Sequence, residues 1–248
     1  MLVGALNAAG DVVHRRIVGS AGLTAEQLLV ELEQRLRDAV DDRPAAAAIG
    51  LGIPCTIDRD RGHCVNAVNL PLREVPVRDI VREDIGLPVS IDNDANTAVL
   101  AEQRRGAAAG ARNVVMLTIG TGIGGGLIVD GELYRGASGA GAELGHVVID
   151  IDGPPCQGSC PNHGCIESIA SGTALAREAQ VAATDHPDSA LGRAAAQEGA
   201  VDGRLVTELA FGGDPVSVEV LPTIPRRPRA AYSALAQSFV PNGIVLGG

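Results

Sequence analysis

Aromatic side chains are scarce in this sequence. Tryptophan is absent, and the 248 residues include two tyrosines and two phenylalanines. The core must therefore be built from alanine, valine, leucine and isoleucine, and the hydrophobic fraction of 46% is large enough to supply it. The shortage of aromatic side chains also removes the platforms on which proteins stack nucleic-acid bases or sugar rings.

Positive charge is also in short supply. Lysine and arginine together number 20 against 30 aspartates and glutamates, so the net charge is −10 at pH 7. Because nucleic-acid phosphates are bound by a concentrated excess of basic residues, this balance argues against a nucleic-acid surface. No hydrophobic run approaches the ~20 residues of a membrane span, and no charged-then-apolar leader is present. We therefore expect a cytoplasmic protein with no nucleic-acid or membrane partner.

A glycine-rich stretch follows an apolar run in the middle of the chain. Val114–Ile119 predicts a buried strand, residues 120–126 read Gly-Thr-Gly-Ile-Gly-Gly-Gly, and residues 127–129 predict a second strand. A backbone with few side chains can approach a phosphate and offer N–H donors. The stretch is not a Walker A loop, since it lacks Gly-Lys-Ser/Thr, and it is not a Rossmann fingerprint, because it leads into a strand. Taken alone, it fits a tight hairpin turn equally well.

Cysteine and histidine cluster shortly after this stretch. Three thiols and one imidazole make a complete tetrahedral set for Zn²⁺, and they come from His146, Cys156, Cys160 and Cys165. Because a full shell leaves no open position for substrate, we expect a structural zinc that fixes a loop rich in proline and glycine. Two alternatives remain: the cysteines could be unliganded or disulfide-linked, and His163 could replace His146 as the nitrogen ligand.

Acidic residues stand where a predicted strand ends in the first half of the chain. Residues 87–91 predict a strand, residues 92–96 break it, and residues 97–105 predict a helix. Open α/β sheets place ligands at such strand ends, and a helix N-terminus favours negative charge. Asp94 is therefore a candidate general base, although an aspartate here is often only a helix N-cap. Asp92 points to the opposite strand face and is the weaker candidate.

Other segments predict further strands and helices. Leu2–Leu6 predicts a strand, and Thr24 opens a capping box ahead of a helix with one apolar face. Residues 191–209 predict one helix. Cys55 and Cys64 are expected to be small buried side chains without a further role.

In their order along the chain, these motifs resemble those of the ROK family of bacterial sugar kinases and repressors, and its glucokinase-like members in particular. The resemblance extends over nearly the whole chain. It is carried by the Gly-Thr-Gly-Ile-Gly-Gly-Gly stretch, by Glu143-Leu-Gly-His146, and by a cysteine loop that ends in Gly-Cys-Ile-Glu167. The loop departs from the family pattern, because Cys156 and Cys160 are four positions apart where the family has two.

The resemblance implies an α/β fold of two domains, the actin-like ATPase or ribonuclease-H-like fold, with a structural zinc loop. Residues 1–112 would form the first domain, and residues 113–248 would form the second, with the phosphate loop and the zinc loop. Family members carry a further strand with Asp-x-Gly-Gly-Thr ahead of the strand that aligns with Met1 onward, and a further section after Val-Leu-Gly-Gly. We therefore expect a fold truncated at both ends, incomplete in each domain, in which Leu2–Leu6 has an unpaired edge.

The resemblance also implies transfer of phosphate from ATP, with Mg²⁺, to a hexose, with glucose favoured. Asp94 would be the general base. The sugar would be bound by Asn93, Glu143, His146 and Glu167. The nucleotide would be bound by Gly120, Thr121, Gly122, Gly124, Gly247 and Gly248. A homo-oligomer, namely a dimer, is expected.

Two other functions stay open at this point. One is a catalytically impaired remnant that binds sugar. The other is a ROK-type transcriptional regulator that responds to sugar and lacks its DNA-binding segment. The motifs do not distinguish glucose from N-acetylglucosamine or N-acetylmannosamine.

Overall fold

The structure, a computed structural model, describes residues 1–43, 45–67, 69–158, 160–221 and 229–247. The chain forms two compact units, Met1–Thr97 with Ala137–Ala140, and Ala98–Gly136 with Gly141–Gly248. The domain division predicted after Arg112 stays a prediction. Within the described ranges, no helix has both the length and the apolar character needed to cross a membrane.

The first unit combines three small sheets with two helices. Its elements are β1 (Leu2–Leu6), β2 (Val12–Ile17), α1 (Ala25–Asp41), β3 (Ile49–Ile53), β4 (Thr56–Asp58), β5 (His63–Asn66), β6 (Arg73–Val75), α2 (Val77–Ile85) and β7 (Val89–Asn93). β1 pairs with β2 in an antiparallel hairpin, and β3 pairs with β7 in parallel. β4, β5 and β6 form an antiparallel sheet in that order.

Helix α1 begins as the sequence predicts. Thr24 Oγ1 accepts a hydrogen bond from Gln27 N at 3.2 Å, and Gln27 Oε1 accepts one from Thr24 N at 2.9 Å, which completes the capping box. One face of the helix is buried. Its side chains share an apolar cluster with β3 and β7, which includes Leu28, Leu36, Ile49, Ile53 and Ile91.

Within the described part of the chain, strand β1 is paired along one edge only, as expected for Leu2–Leu6. Among the described strands, β1 is hydrogen-bonded only to β2, and β3 is hydrogen-bonded only to β7. A cavity of about 820 Å³ is lined by β1, by the apolar face of α1 and by residues 45–54, which include β3. Leu2 and Leu6 are 61% and 67% exposed, so much of the apolar surface of β1 remains in contact with solvent.

Cys55 and Cys64 differ from the expectation, because a disulfide joins them. Both are buried, as expected for small core residues. The β4–β5 hairpin pairs Ile57 with Cys64, and the two cysteine Cα atoms lie 5.9 Å apart, within the usual range for a disulfide. The pairing depends on the hairpin register, which the spacing of the cysteines in the sequence does not reveal.

The second unit contains a four-stranded sheet and most of the helices. After α3 (Asp94–Arg105), its elements are β8 (Val114–Ile119), β9 (Ile123–Val129), β10 (Glu132–Leu133), a short 3₁₀ helix (Leu144–His146), α4 (Ile166–Ala170), α5 (Gly172–Asp185), α6 (Ala190–Glu198), α7 (Gly203–Phe211), α8 (Pro215–Val220), α9 (Arg229–Phe239) and β11 (Gly243–Gly247). The strand order is β10, β9, β8, β11, and β11 runs parallel to β8 while the other pairs are antiparallel.

Strand β8 lies at the centre of this core. Its first four residues, Val114 to Leu117, are at most 4% exposed, which confirms the buried strand predicted from the apolar run. Side chains from the sheet, the 3₁₀ helix, α4 and α9 form one cluster, which includes Val115, Leu117, Ile123, Leu127, Leu144, Ile166, Ala231 and Leu235.

The prediction of one helix over residues 191–209 is wrong, because two helices, α6 and α7, occupy this stretch. Gly199 ends α6 in the left-handed conformation with φ of 74°. The side chain of Asp202 then accepts a hydrogen bond from Leu205 N at 2.7 Å and starts α7. A C-terminal glycine followed by an N-terminal cap interrupts the helix although the apolar spacing continues.

Candidate functional site

The glycine-rich stretch forms a shorter turn than predicted. β8 and β9 remain paired to their ends, and only residues 120–122 lie between them. Gly120 N donates a hydrogen bond to Gly122 O at 2.9 Å within the turn. Gly124, which the sequence places in the phosphate loop, lies in β9 opposite Thr118. The predicted loop over residues 120–126 is therefore wrong from residue 123 onward, because the antiparallel pairing of β9 with β8 continues through Gly124, Gly125 and Gly126.

Close packing explains glycine in β9. A Cβ on Gly125 would collide with Ala142 O and with the side chain of Leu144. A Cβ on Gly145 would collide with Ile123 O. The segment around the 3₁₀ helix therefore lies directly on the backbone of β9, because Gly125 and Gly145 have no side chain at the points of contact.

Glu167 reaches from α4 to the turn. Its Oε2 accepts a hydrogen bond from Ile123 N at 2.8 Å, and a Cβ on Gly122 would collide with the same oxygen. The other carboxylate oxygen, Oε1, lies 3.8 Å from Cys156 Sγ. The predicted sugar ligand thus links the glycine turn to the cysteine cluster.

Two carbonyls of the turn are bound by the start of α5. Gly172 N donates to Gly120 O at 2.8 Å. Thr173 donates to Thr121 O twice, from its backbone N at 3.2 Å and from its hydroxyl at 2.9 Å. Gly172 and Thr173 are not among the site residues predicted from the sequence. The Ser-Gly-Thr sequence at the break between α4 and α5 is the signal that could have pointed to them.

Four predicted metal ligands come together in one cluster. One ligand atom from each of His146, Cys156, Cys160 and Cys165 lies within 4.8 Å of the other three. His146 Nδ1 is 3.4 Å from Cys156 Sγ, close to the about 3.5 Å that separates a nitrogen from a sulfur ligand on a tetrahedral Zn²⁺. The donor types and their spacing therefore fit a zinc ion with four protein ligands.

The loop around the cluster is shaped by its backbone. Gly164 has a positive φ of 62°, and a Cβ there would collide with Asp150 O. Cys165 follows as the N-cap of α4. His163 Nδ1 instead lies 3.3 Å from Gly153 O, and His163 is outside the four-residue cluster of the described chain. The structure therefore brings His146, and not His163, to the three sulfurs.

Among the thiols of the cluster, Cys165 is buried, and Cys156 and Cys160 are partly buried. Burial is the main cause that raises the pKa of Cys156, and hydrogen bonding with Cys165 and Cys160 raises it further. Burial likewise raises the pKa of Cys165. Thiolate ligands require a compensating cation, since burial alone keeps these groups protonated.

β7 and α3 meet at the predicted base. β7 ends at Asn93, and α3 begins at Asp94, whereas the sequence predicted a helix from residue 97. Asn93 Oδ1 accepts hydrogen bonds from Ala95 N at 2.9 Å and from Asn96 N at 3.2 Å. Asn93 therefore caps the helix and allows it to start earlier, and Asp94 occupies the first helical position, where the dipole favours a negative side chain.

Asp92 and Asp94 differ in their surroundings. Asp92 Oδ1 accepts from Asn96 Nδ2 at 3.1 Å, and Asp92 Oδ2 lies 3.7 Å from Arg59 Nε. Asp94 is exposed, and β3 approaches its backbone closely, since a Cβ on Gly52 would lie 3.4 Å from Asp94 Cα. The Asp94 carboxylate is therefore accessible to a ligand, whereas the Asp92 carboxylate connects the start of α3 with Arg59.

The remaining predicted residues lie in the second unit. Glu143 is exposed, and its carbonyl accepts a hydrogen bond from His146 N at 3.1 Å. Gly247 is paired in parallel with Thr118, so the carboxyl ends of β11 and β8 lie at the same sheet edge as the glycine turn. Gly248 lies outside the described residues.

The chain is similar in sequence to known proteins. The sequence profile described as ROK family matches residues 2–248. A glucokinase from Halalkalibacterium halodurans is 34% identical over 98% of this chain and 75% of its own length. A xylose repressor from Caldicellulosiruptor bescii is 36% identical over 68% of this chain and 43% of its own length. The chain spans 64% of the length of a glucokinase from Streptomyces coelicolor, to which it is 36% identical over 81% of its own length.

A solved structure agrees in fold. The ROK family glucokinase from Streptomyces griseus, in complex with glucose and AMPPNP, is 33% identical and superimposes with a TM-score of 0.85 over 100% of this chain and 79% of that chain. The likeness confirms the predicted α/β fold of the sugar kinases with an actin-like ATPase architecture.

Proposed function

Because the chain belongs to the ROK family, we propose that it is an ATP-dependent hexose kinase of the glucokinase-like type, with glucose as the favoured acceptor. One observation carries the proposal. Glu167, the predicted sugar ligand, is hydrogen-bonded to Ile123 N at the end of the turn predicted to bind phosphate. A kinase must hold its acceptor and the nucleotide phosphates at a fixed distance and orientation. This hydrogen bond connects the residue proposed to bind the sugar with the turn proposed to bind the phosphates.

Asp94 is the proposed general base. It is exposed at the first position of α3, at the carboxyl end of β7. Its carboxylate would accept the proton of a sugar hydroxyl as that hydroxyl attacks the γ-phosphate of ATP. Asn93, whose side chain is fixed by its bonds to the first turn of α3, would hold the neighbouring hydroxyls.

Glu143, His146 and Glu167 are proposed to bind the sugar in the second unit. Glu167 uses one lone pair for Ile123 N, and a carboxylate has further lone pairs for sugar hydroxyls. His146 N donates to Glu143 O, so the positions of the imidazole and of Glu143 are linked. The two carboxylates and the imidazole would select a ligand with several hydroxyl groups.

The glycine turn is proposed to bind the nucleotide phosphates, with Mg²⁺ accompanying ATP. Phosphoryl transfer depends on positioning and on charge stabilisation, and backbone N–H groups supply both. The proposed nucleotide-binding set is Gly120, Thr121, Gly122, Gly124, Gly247 and Gly248.

The cysteine cluster is proposed to hold a structural Zn²⁺ through His146, Cys156, Cys160 and Cys165. When bound, the ion supplies a rigid four-coordinate link across the loop and leaves no position for substrate. The ligand residues also connect the loop to the residues proposed to bind the sugar. Cys165 begins the helix that carries Glu167, and His146 ends the 3₁₀ helix that follows Glu143.

A transcriptional regulator that responds to sugar is the second candidate, since a xylose repressor is among the relatives. It would share the sugar-binding residues with a kinase. The net charge of −10 disfavours DNA binding by this chain itself. A catalytically impaired sugar-binding protein would share the same residues. For the kinase we propose a cytoplasmic location and a homodimer.

A coupled spectroscopic assay of ADP release, run with ATP, Mg²⁺ and a panel of hexoses, tests the proposal. Asp94→Asn is expected to lower turnover by roughly 10²–10⁴-fold and to leave hexose affinity nearly unchanged, because general-base catalysis contributes a factor of that size. Asp185→Asn, an exposed aspartate at the end of α5, is the control and is expected to keep full turnover.

Two outcomes would contradict the proposal. Full activity of Asp94→Asn would exclude Asp94 as the base. Calorimetric binding of a hexose by the wild type, without any turnover, would favour the regulator or the impaired sugar-binding protein over the kinase.

A further inference from the structure

The Gly120–Thr121–Gly122 turn receives hydrogen bonds from the start of α5. Gly172 N donates to Gly120 O at 2.8 Å, and the Thr173 hydroxyl donates to Thr121 O at 2.9 Å. The carbonyls of Gly120 and Thr121 therefore point toward the N-terminus of α5.

The direction of a carbonyl also sets the direction of the N–H in the same peptide group. In a planar trans peptide, the C=O and the following N–H point in opposite directions. The Gly120 carbonyl shares its peptide group with Thr121 N–H, and the Thr121 carbonyl shares its group with Gly122 N–H. The bonds to Gly172 and Thr173 therefore direct the N–H groups of Thr121 and Gly122 away from α5.

The N-terminus of α5 is itself fixed by a buried serine. Ser171 is 0% exposed, and its hydroxyl accepts hydrogen bonds from Ala174 N at 3.1 Å and from Gln157 Nε2 at 2.9 Å. The first bond caps α5, and the second joins it to the cysteine loop. Thr173 thus extends from a rigid support.

We propose that Thr173 is a positioning residue that holds the Gly120–Thr121–Gly122 turn with its N–H groups presented to the phosphates of a nucleotide. This inference rests on the proposed kinase function and adds to it a residue outside the predicted nucleotide-binding set. Thr173 acts through the Thr121 carbonyl. Of the three hydrogen bonds described between α5 and the turn, the bond from the Thr173 hydroxyl is the one that a side chain donates.

Three variants separate the hydroxyl from the shape of the side chain. Thr173→Val removes the hydroxyl and keeps the branched shape, and Thr173→Ser keeps the hydroxyl. Thr184→Val is the matched control, because Thr184 is also on α5 and its hydroxyl donates to Gln180 O at 2.9 Å, within the helix.

Amide hydrogen exchange of the peptide over residues 117–127 is measured without ligand, and calorimetry then gives the Kd for Mg²⁺–AMPPNP and for glucose. In Thr173→Val we expect faster exchange in the turn and nucleotide binding about threefold to tenfold weaker, the usual effect of one lost hydrogen bond, with the glucose Kd unchanged within about twofold. Thr173→Ser is expected to match the wild type, as is Thr184→Val.

The inference is overturned if Thr173→Val matches Thr184→Val in both exchange and nucleotide affinity, or if its glucose and nucleotide affinities fall equally. Failure of the proposed function gives a different result. If the wild type binds no nucleotide while Thr173→Val still exchanges faster, Thr173 braces the turn, but the phosphate role and the kinase proposal are both refuted.

Discussion

Asp214 joins two helices through one buried carboxylate, and replacing it should destabilise the second unit strongly. Its Oδ2 accepts hydrogen bonds from Ser217 N at 2.9 Å and from the Ser217 hydroxyl at 2.8 Å, which caps α8. Its Oδ1 accepts one from Ala190 N at 2.9 Å, at the first residue of α6. Asp214 is 8% exposed and Ser217 is 0% exposed.

The size of the effect follows from these three bonds. A hydrogen bond to a charged group contributes about 1.5–3 kcal/mol, and buried donors left without an acceptor add a desolvation cost, but the contributions are not additive. We expect Asp214→Ala to lower the free energy of unfolding by about 3–5 kcal/mol. For a unit of this size, that corresponds to a Tm lower by about 6–20 °C.

Urea unfolding followed by circular dichroism measures this difference. Asp202→Ala is the matched control, because Asp202 caps α7 from an exposed position through a single bond to Leu205 N. That change should cost about 1 kcal/mol. If Asp214→Ala costs no more than Asp202→Ala, the carboxylate does not join the two helices as described.

The contribution of Asp214 should also depend on pH. Burial by itself would raise the pKa of Asp214, but the hydrogen bonds from Ser217, Ala190 and Leu191 outweigh it, so the pKa lies below its ordinary value. The stabilisation is therefore complete above the unfolded pKa of about 3.9 and is lost as the pH falls through the folded pKa. The stability difference between the wild type and Asp214→Asn should narrow below about pH 4, and a constant difference from pH 7 to pH 3 would refute this account.

Two other predictions concern the metal cluster and the packing of β9. Protein prepared without chelator should contain about one Zn²⁺ per chain by elemental analysis, and Cys160→Ser should lose most of it and melt at a lower temperature, because three ligands hold the ion less tightly than four; unchanged zinc content would show that the cluster is not the site. Gly125→Ala should cost about 1–3 kcal/mol of stability, since its Cβ would collide with Ala142 O and with Leu144. Gly243→Ala is the control, because a Cβ there meets nothing within 4 Å, and equal stability of the two variants would contradict the packing argument.

Patterns between near neighbours in the chain predicted much of the fold. The capping box at Thr24 involves residues within one helical turn, and it marks the start of α1 correctly. The apolar run of β8 is buried as expected. In each case the relevant forces act over a few residues, so the sequence displays them directly.

Glycine was harder to interpret, because it serves two purposes that look alike in a sequence. Gly120 and Gly122 lie in the turn, whereas Gly124 and Gly125 are strand residues. Gly125 is required by the close approach of the segment around Leu144. The distinction depends on what packs against β9, and that partner is distant from the turn in the sequence.

The sequence by itself determined which types of donor the chain offers: three thiols, the imidazoles of His146 and His163, and the carboxylates of Asp94, Glu143 and Glu167. The tertiary structure alone decided which of these groups meet. It brought His146 to the sulfurs. It also formed hydrogen bonds between Glu167 and Ile123 N, which are 44 residues apart in the sequence, and between Thr173 and Thr121, which are 52 residues apart. Such bonds form only after the chain between them has closed into a packed sheet and helices, and no local pattern of residues encodes that geometry.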